Sequence, residues 1–114
     1  MRSAFIVILF IILQSKSCKK EGFTKVPACI QDKIEGMMQH PKFNPPATVY
    51  RYLYGDQYVW VFNAGCCDQY NYAYDLKCNV ICAPSGGIAG KGDGRCSNFN
   101  QVATDETLVW KDTR

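Results

Sequence analysis

The sequence predicts an α+β domain in which an N-terminal helix packs on a small antiparallel β-sheet and disulfide bonds hold the two together. A segment near residue 30 has helical spacing, two segments between residues 48 and 62 alternate as strands do, and seven cysteines are spread over 114 residues. Aromatic residues make up 13% of the chain and charged residues 20%, which supplies enough apolar material for the core of one domain.

The predicted helix begins near Pro27, because proline suits the first turn of a helix, where its missing N–H leaves no bond unmade. Four apolar residues then share one helical face, at i, i+4, i+7 and i+8: Ile30, Ile34, Met37 and Met38. The pair His40-Pro41 ends the helix, since a residue before proline avoids the helical conformation.

Residues 48–54 and 58–62 alternate in polarity and are rich in β-branched and aromatic side chains, which predicts two strands. The short glycine-containing segment 55–57 between them predicts a β-hairpin. One face of the hairpin would pack on the helix, and the other would present a tyrosine-rich, partly exposed surface.

Three further elements complete the predicted fold. Residues 73–76 and 80–82 are short strands with a turn at 77–79, and residues 84–95 are a glycine-dense loop. Residues 108–110 form a short edge strand or docking segment that buries Trp110. We find no internal repeat.

The first residues predict export from the cytoplasm. After the positive charge of Arg2, residues 4–13 form an unbroken apolar run, too short to cross a membrane but typical of a signal peptide. Small residues before Cys18 resemble a bacterial lipoprotein signal, in which the cysteine sulfur receives a diacylglycerol. We therefore predict a signal peptide at 1–17, a lipid anchor on Cys18, a tether at 18–26 and one domain at 27–114. Plain secretion is the alternative.

The number of cysteines agrees with this arrangement, because lipidation of Cys18 leaves an even number for disulfides. The six predicted disulfide cysteines are Cys29, Cys66, Cys67, Cys78, Cys82 and Cys96. Six cysteines allow 15 pairings, and excluding a bond between the adjacent Cys66 and Cys67 leaves about 12 of them. The sequence does not choose among these.

Catalytic, metal and nucleic-acid sites are not indicated. The single histidine, His40, has no nucleophile or orienting carboxylate nearby in the sequence, and an exported chain uses its cysteines for disulfides rather than for zinc. The net charge of +3 is not concentrated in a basic cluster. We therefore expect no enzyme activity, no cofactor, no bound metal and no nucleic-acid partner.

A binding surface is the remaining possibility. Its candidate residues come from the first strand and the glycine-dense loop: Tyr50, Tyr52, Tyr54, Gly86, Gly87, Lys91 and Asp93. Tyrosine is favoured at protein interfaces, and glycine-rich loops can bind anions through backbone N–H groups. The competing interpretation is structural, because alternating tyrosines stabilise a sheet and glycines supply the positive φ angles of turns.

The cysteine and glycine pattern resembles a family of small bacterial exported domains of unknown function. The resemblance covers about residues 27–114. It rests on five short motifs: Cys66-Cys67-Asp68, Tyr74-Asp75, Ile81-Cys82, Pro84-Ser85-Gly86-Gly87, and Gly90-x-Gly92-Asp93-Gly94-x-Cys96, where x is any residue. Members of such a family are lipoproteins or secreted proteins. The resemblance implies a fold and an address, and it implies no activity.

These observations predict a non-enzymatic binding or inhibitor-like module of the bacterial cell envelope. We expect a monomer that is anchored by lipid and contacts a protein or another envelope component. One alternative is a purely structural or accessory lipoprotein. The other is a small extracytoplasmic enzyme, which would require His40 to meet carboxylates in a cleft.

Overall fold

The computed structural model describes residues 26–64 and 68–114. They form helices α1 (Ala28–Met37) and α2 (Phe99–Val102), and five strands. The strands are β1 (Thr48–Tyr54), β2 (Gln57–Asn63), β3 (Tyr70–Tyr74), β4 (Val80–Gly86) and β5 (Thr104–Lys111). The strands make one sheet in the order β4-β3-β2-β1-β5, with every neighbouring pair antiparallel. This confirms an α+β fold on a small antiparallel sheet. The predicted signal peptide and nearly all of the tether lie outside the described residues.

The β1–β2 hairpin is the element that the sequence predicted best. Tyr54 pairs with Gln57, so Gly55 and Asp56 form a two-residue turn. Gly55 has a φ of 68°, the left-handed conformation that a tight hairpin turn requires of its first residue. The hairpin therefore has the predicted position, with a turn one residue shorter than expected.

Helix α1 packs its two isoleucines on one face of the sheet. Ile30 and Ile34 share a buried cluster with three strand residues, Val49, Trp60 and Phe62. The helix ends at Met37, earlier than predicted, because residues 38–40 turn tightly with hydrogen bonds to carbonyls three residues back. Met38 is 39% exposed, so its predicted place on the buried stripe is wrong.

The opposite face of the sheet has a core of its own, which the sequence did not predict. Val59, Val61 and Ala73 pack there with Phe99 of α2 and with the buried Cys82 and Cys96. The tyrosine-rich face of β1 is thus partly covered by α2. Phe99 is an isolated aromatic residue in a four-residue helix, and such a short element has no periodicity to reveal it.

Strands β3 and β4 differ from their predicted limits. Strand β3 ends at Tyr74 because the Asp75 carboxylate accepts the backbone N–H groups of Lys77 and Asn79, at 2.9 and 2.8 Å, and so builds a turn. Strand β4 continues to Gly86, because its second half pairs with the start of β3. The predicted loop at 84–95 is therefore wrong for its first three residues. Pro84 is tolerated because β4 is an edge strand.

A buried carboxylate, that of Asp112, lies just after β5 and helps to fix the C-terminal residues to the rest of the domain. Asp112 is 3% exposed, donates its backbone N–H to Ala47, and accepts two hydrogen bonds from the Arg114 guanidinium at 2.9 and 2.7 Å. Arg114 also donates to the carbonyl of Met38. These bonds join the last strand to the segment between α1 and β1. Strand β5 is longer than predicted because its exposed first half also pairs with β1.

Candidate functional site

The glycine loop, defined here as residues 87–95, folds back against the edge strand β4. The N–H of Gly92 donates to the carbonyl of Gly86 and the N–H of Asp93 to the carbonyl of Ala83, both at 3.0 Å. A Cβ on Gly92 would collide with the Ala83 carbonyl oxygen and lie 2.8 Å from the carbonyl carbon of Pro84. Only glycine lets the loop approach the strand this closely.

The far end of the glycine loop is held by a disulfide and a turn. Cys96 bonds to Cys82 of β4, and both residues are buried. The Asp93 carboxylate accepts the N–H of Arg95 at 3.0 Å and pairs with its guanidinium at 3.5 Å. The backbone N–H of Arg95 is the main reason that the pKa of Asp93 lies below its usual value. The loop is consequently anchored at both ends and along its length.

A cavity of about 410 Å³ lies between the glycine loop and the start of β3. It is lined by Asp68, Tyr70, Gly87, Ile88, Ala89 and Gly92. Gly87 lies against the Tyr70 ring, where an added Cβ would be 2.5 Å from the ring carbon Cε1. Ile88 is 90% exposed at the tip of the loop and Tyr70 is 41% exposed. The cavity therefore presents two apolar side chains to solvent beside an aspartate.

A small polar network joins the strands near this cavity. The side chain of Asn71 accepts the N–H of Ala64 at 3.1 Å and donates to the Ser85 hydroxyl at 3.0 Å. The N–H of Gly87 donates to the carbonyl of Gln69 at 3.0 Å. These bonds join β2, β3 and β4 at the end of the sheet where the cavity lies.

Asp68 carries the only acidic side chain of the cavity lining. Within residues 26–64 and 68–114, no hydrogen bond or ion pair engages its carboxylate. Lys91 is exposed and lies in sequence between the lining residues Ala89 and Gly92, but it does not line the cavity itself. Asp68 is thus the one residue of an acidic type in a lining whose other members are glycine, alanine, isoleucine and tyrosine.

The three predicted tyrosines of β1 lie elsewhere on the sheet. Tyr52 and Tyr54 place their rings 5.0 and 4.9 Å from the ring of Phe99, so they pack α2 on the sheet. The Tyr52 hydroxyl donates to Glu106 at 3.0 Å, and burial, aided by this bond, raises the pKa of Tyr52 to about 12. Tyr50 is half-buried beside Tyr52. Strands β2 and β3 separate all three from β4 and its loop.

The predicted loop residues have different surroundings. Gly86 is the last residue of β4 and bridges to Lys91, while Gly87 lines the cavity. Asp93 is engaged by Arg95. The structure therefore joins the glycines to Tyr70, Asp68 and Ile88, which the candidate surface left out. Ile88 could have been noticed, because an apolar residue between glycines at 86, 87 and 90 has no strand or helix in which to be buried.

The described disulfides are Cys29–Cys78 and Cys82–Cys96. The first joins α1 to the β3–β4 turn across 49 residues, and the second closes the glycine loop across 14. Cys18, Cys66 and Cys67 lie outside the described residues.

His40 has an exposed side chain just after α1, and no hydrogen bond or ion pair of that side chain occurs in the described ranges. Over the same ranges, no group of three or more His, Cys, Asp or Glu side chains could hold a metal ion. Among the described helices, neither is long and apolar enough to cross a membrane.

Comparison with known families finds one described as Domain of unknown function (DUF6970), which matches residues 35–112. The match begins inside α1 and includes the sheet, the cavity and both described disulfides except for Cys29. Comparisons with curated proteins and with solved structures each find no match.

Proposed function

We propose, for a chain that belongs to the DUF6970 family of domains of unknown function, that it is a non-enzymatic binding module that works outside the reducing cytoplasm. The observation that carries the binding function is the cavity beside the glycine loop, with its exposed Ile88. Cavities lined by apolar side chains and formed by well-positioned loops are where proteins commonly bind other molecules.

The two disulfides support an oxidising compartment. Structural disulfides persist in exported proteins and are rare in the cytosol, where thiols are kept reduced. A domain of this length also gains from such bonds, because its apolar core is small. The cysteines therefore favour a site of action in the cell envelope or outside the cell.

The address within that compartment rests on the sequence. A signal peptide at 1–17 and a diacylglycerol on Cys18 would tether the domain to a bacterial membrane through residues 18–26. Secretion without lipid is the alternative form of the same proposal. We further propose that the domain acts as a monomer on a protein or another envelope component.

A structural or accessory role is the second candidate, and one observation favours it. Tyr52 and Tyr54 serve to pack α2 on the sheet rather than to form an open aromatic surface. This weakens the tyrosine half of the predicted binding surface and leaves the cavity as its centre. Because no contact of the His40 side chain indicates a catalytic group, we base no proposal of an enzyme on it.

The address is tested by intact mass of the protein recovered from its native cells, with and without reductant. Export with lipidation predicts a chain that begins at Cys18, carries a diacylglycerol, and gains six hydrogen atoms when reductant opens three disulfides. A chain that retains residues 1–17 and free thiols would overturn the proposed location.

The binding function is tested by photo-crosslinking in the same cells, with a benzoylphenylalanine placed at position 88 or at position 76. Leu76 is the matched control, because it is also apolar and 57% exposed but lies at the opposite end of the β3–β4 hairpin. We expect a discrete adduct from position 88 and none from position 76. No adduct from position 88, or the same adducts from both, would contradict the proposal.

A further inference from the structure

We propose that the cavity between Tyr70 and the glycine loop receives the side chain of a lysine or an arginine from a partner protein. This inference rests on the proposed function and adds the chemistry of what is bound. Its basis is the combination, in one cavity, of apolar walls, an aromatic ring and a carboxylate that no described residue engages.

The shape and lining of the cavity suit a long side chain with an apolar stem. Ile88 and Ala89 supply aliphatic surface to the lining, and Tyr70 supplies an aromatic residue. The stems of lysine and arginine bury their methylene groups against such surfaces while the charged head reaches a polar group. A volume of about 410 Å³ has room for one such side chain together with water.

The charge of the cavity selects a cation over a neutral or anionic group. Asp68 is one of the residues that line the cavity, and within the described part of the chain no basic group forms an ion pair with it. A cation bound there would gain a hydrogen-bonded ion pair, whereas an acidic side chain would be repelled.

Two other tyrosines of the same sheet already form cation–π contacts. Lys33 places its ammonium 4.3 Å from the centre of the Tyr74 ring, and the Arg51 guanidinium is 4.8 Å from that of Tyr58. Both distances are typical of cation–π contacts. No cation–π contact to Tyr70 is formed by the described residues. Gly87 lies against this ring, but Tyr70 is still 41% exposed, and we expect its exposed part to meet a cation from another molecule.

The neighbouring Lys91 is the group that could oppose this binding, since it is exposed and close in sequence to Ile88 and Ala89. It does not line the cavity. Neutralising it should therefore leave binding of a cation unchanged or slightly stronger, which makes Lys91→Gln the charge control for Asp68→Asn.

The test is a titration of the full, oxidised, isotope-labelled chain, followed by NMR chemical shifts, with four capped tripeptides Gly-X-Gly in which X is arginine, lysine, norleucine or glutamate. We expect saturable shifts at residues 68, 70 and 88 with the arginine and lysine peptides, and dissociation constants on the order of 1 mM. Asp68→Asn should weaken this binding roughly 5-fold, as loss of a good exposed ion pair does.

The aromatic contribution has its own matched pair of variants. Tyr70→Leu, which removes the ring, should weaken binding roughly 3-fold, whereas Tyr70→Phe, which keeps it, should not. Chemical shifts elsewhere in each variant report whether the sheet is still folded, so a loss of binding can be separated from a loss of structure.

Several outcomes would overturn the inference. Equal binding of the norleucine peptide would show an apolar pocket, and the proposed binding function would survive. Preference for the glutamate peptide, unchanged binding by Asp68→Asn, or no saturable shift with any peptide would each refute a lysine or arginine site. The crosslinking at position 88 tests the binding function independently of all four peptides.

Discussion

Replacing Gly92 by alanine tests whether the close approach of the glycine loop to β4 is what holds the cavity together. Gly92 has a φ of 81°, and an added Cβ would collide with the backbone of Ala83 and Pro84. Because a backbone carbonyl in a paired strand cannot move aside as a side chain can, the loop itself would have to shift.

Gly90→Ala and Gly94→Ala are the matched controls. Their φ angles, 76° and 83°, are close to that of Gly92, but an added Cβ at either meets nothing within 4 Å. All three variants thus incur the same left-handed penalty of about 1–2 kcal/mol. They gain back part of it because alanine reduces the entropy of the unfolded chain. We expect a net loss of about 1 kcal/mol for each control.

Gly92→Ala should lose more, because shifting the loop breaks two backbone hydrogen bonds, from Gly92 to Gly86 and from Asp93 to Ala83. Each contributes about 1 kcal/mol net, so the free energy of unfolding should fall by about 3 kcal/mol. The assay is urea unfolding followed by the fluorescence of the tryptophans, of which Trp60 is only 1% exposed. Equal losses in Gly92→Ala and the two controls would refute the steric argument.

Three further predictions concern the staples and ionisable groups of the domain. Replacing both cysteines of Cys29–Cys78 by alanine should lower the free energy of unfolding by about 4 kcal/mol, because the bond closes a loop of 49 residues; a loss under about 1 kcal/mol in urea unfolding would contradict this. The free energy of unfolding should fall as the pH rises from 10 to about 12. The reason is that the pKa of Tyr52 is about 12 in the folded protein but has its ordinary value of 10.0 in the unfolded chain. Tyr52→Phe should flatten that decline in denaturation curves measured across this range. Hydrogen bonds from the Arg114 guanidinium lower the pKa of Asp112 in the folded protein. The Asp112–Arg114 pair therefore stabilises the fold fully above pH 3.8, the ordinary pKa of aspartate, and this stabilisation is lost as the pH falls below that value. Asp112→Asn should therefore lower the free energy of unfolding at neutral pH and make it depend less on pH below 3.8. If urea unfolding gave the variant the same free energy at neutral pH as the unaltered protein, or the same decline in acid, this role would be refuted.

The parts of the fold that the sequence predicted are those set by neighbours along the chain. Residues 48–62 carry their own alternation and their own turn glycine, so the hairpin could be predicted locally, although its turn is one residue shorter than predicted. The isoleucines of α1 are likewise one helical turn apart, and their burial follows from that spacing.

The parts that the sequence missed depend on contacts between distant segments. The second half of β4 is a strand because the start of β3 pairs with it, although Pro84 and the glycine at 86 favour a loop locally. Helix α2 exists around Phe99, whose burial depends on Tyr52 and Tyr54 of a strand far away in the chain. Tertiary packing outweighs local preference in both places.

The amino-acid sequence alone determined that this chain is an α+β domain with paired sulfurs, because helical spacing, strand alternation and cysteine number are properties of composition and order. Only the tertiary structure decided how the four described cysteines pair, as Cys29–Cys78 and Cys82–Cys96, and where a ligand could lie. The glycine loop meets Tyr70 rather than the tyrosines of β1, because antiparallel pairing sets the end of β4 beside the start of β3 and places two strands between the loop and β1.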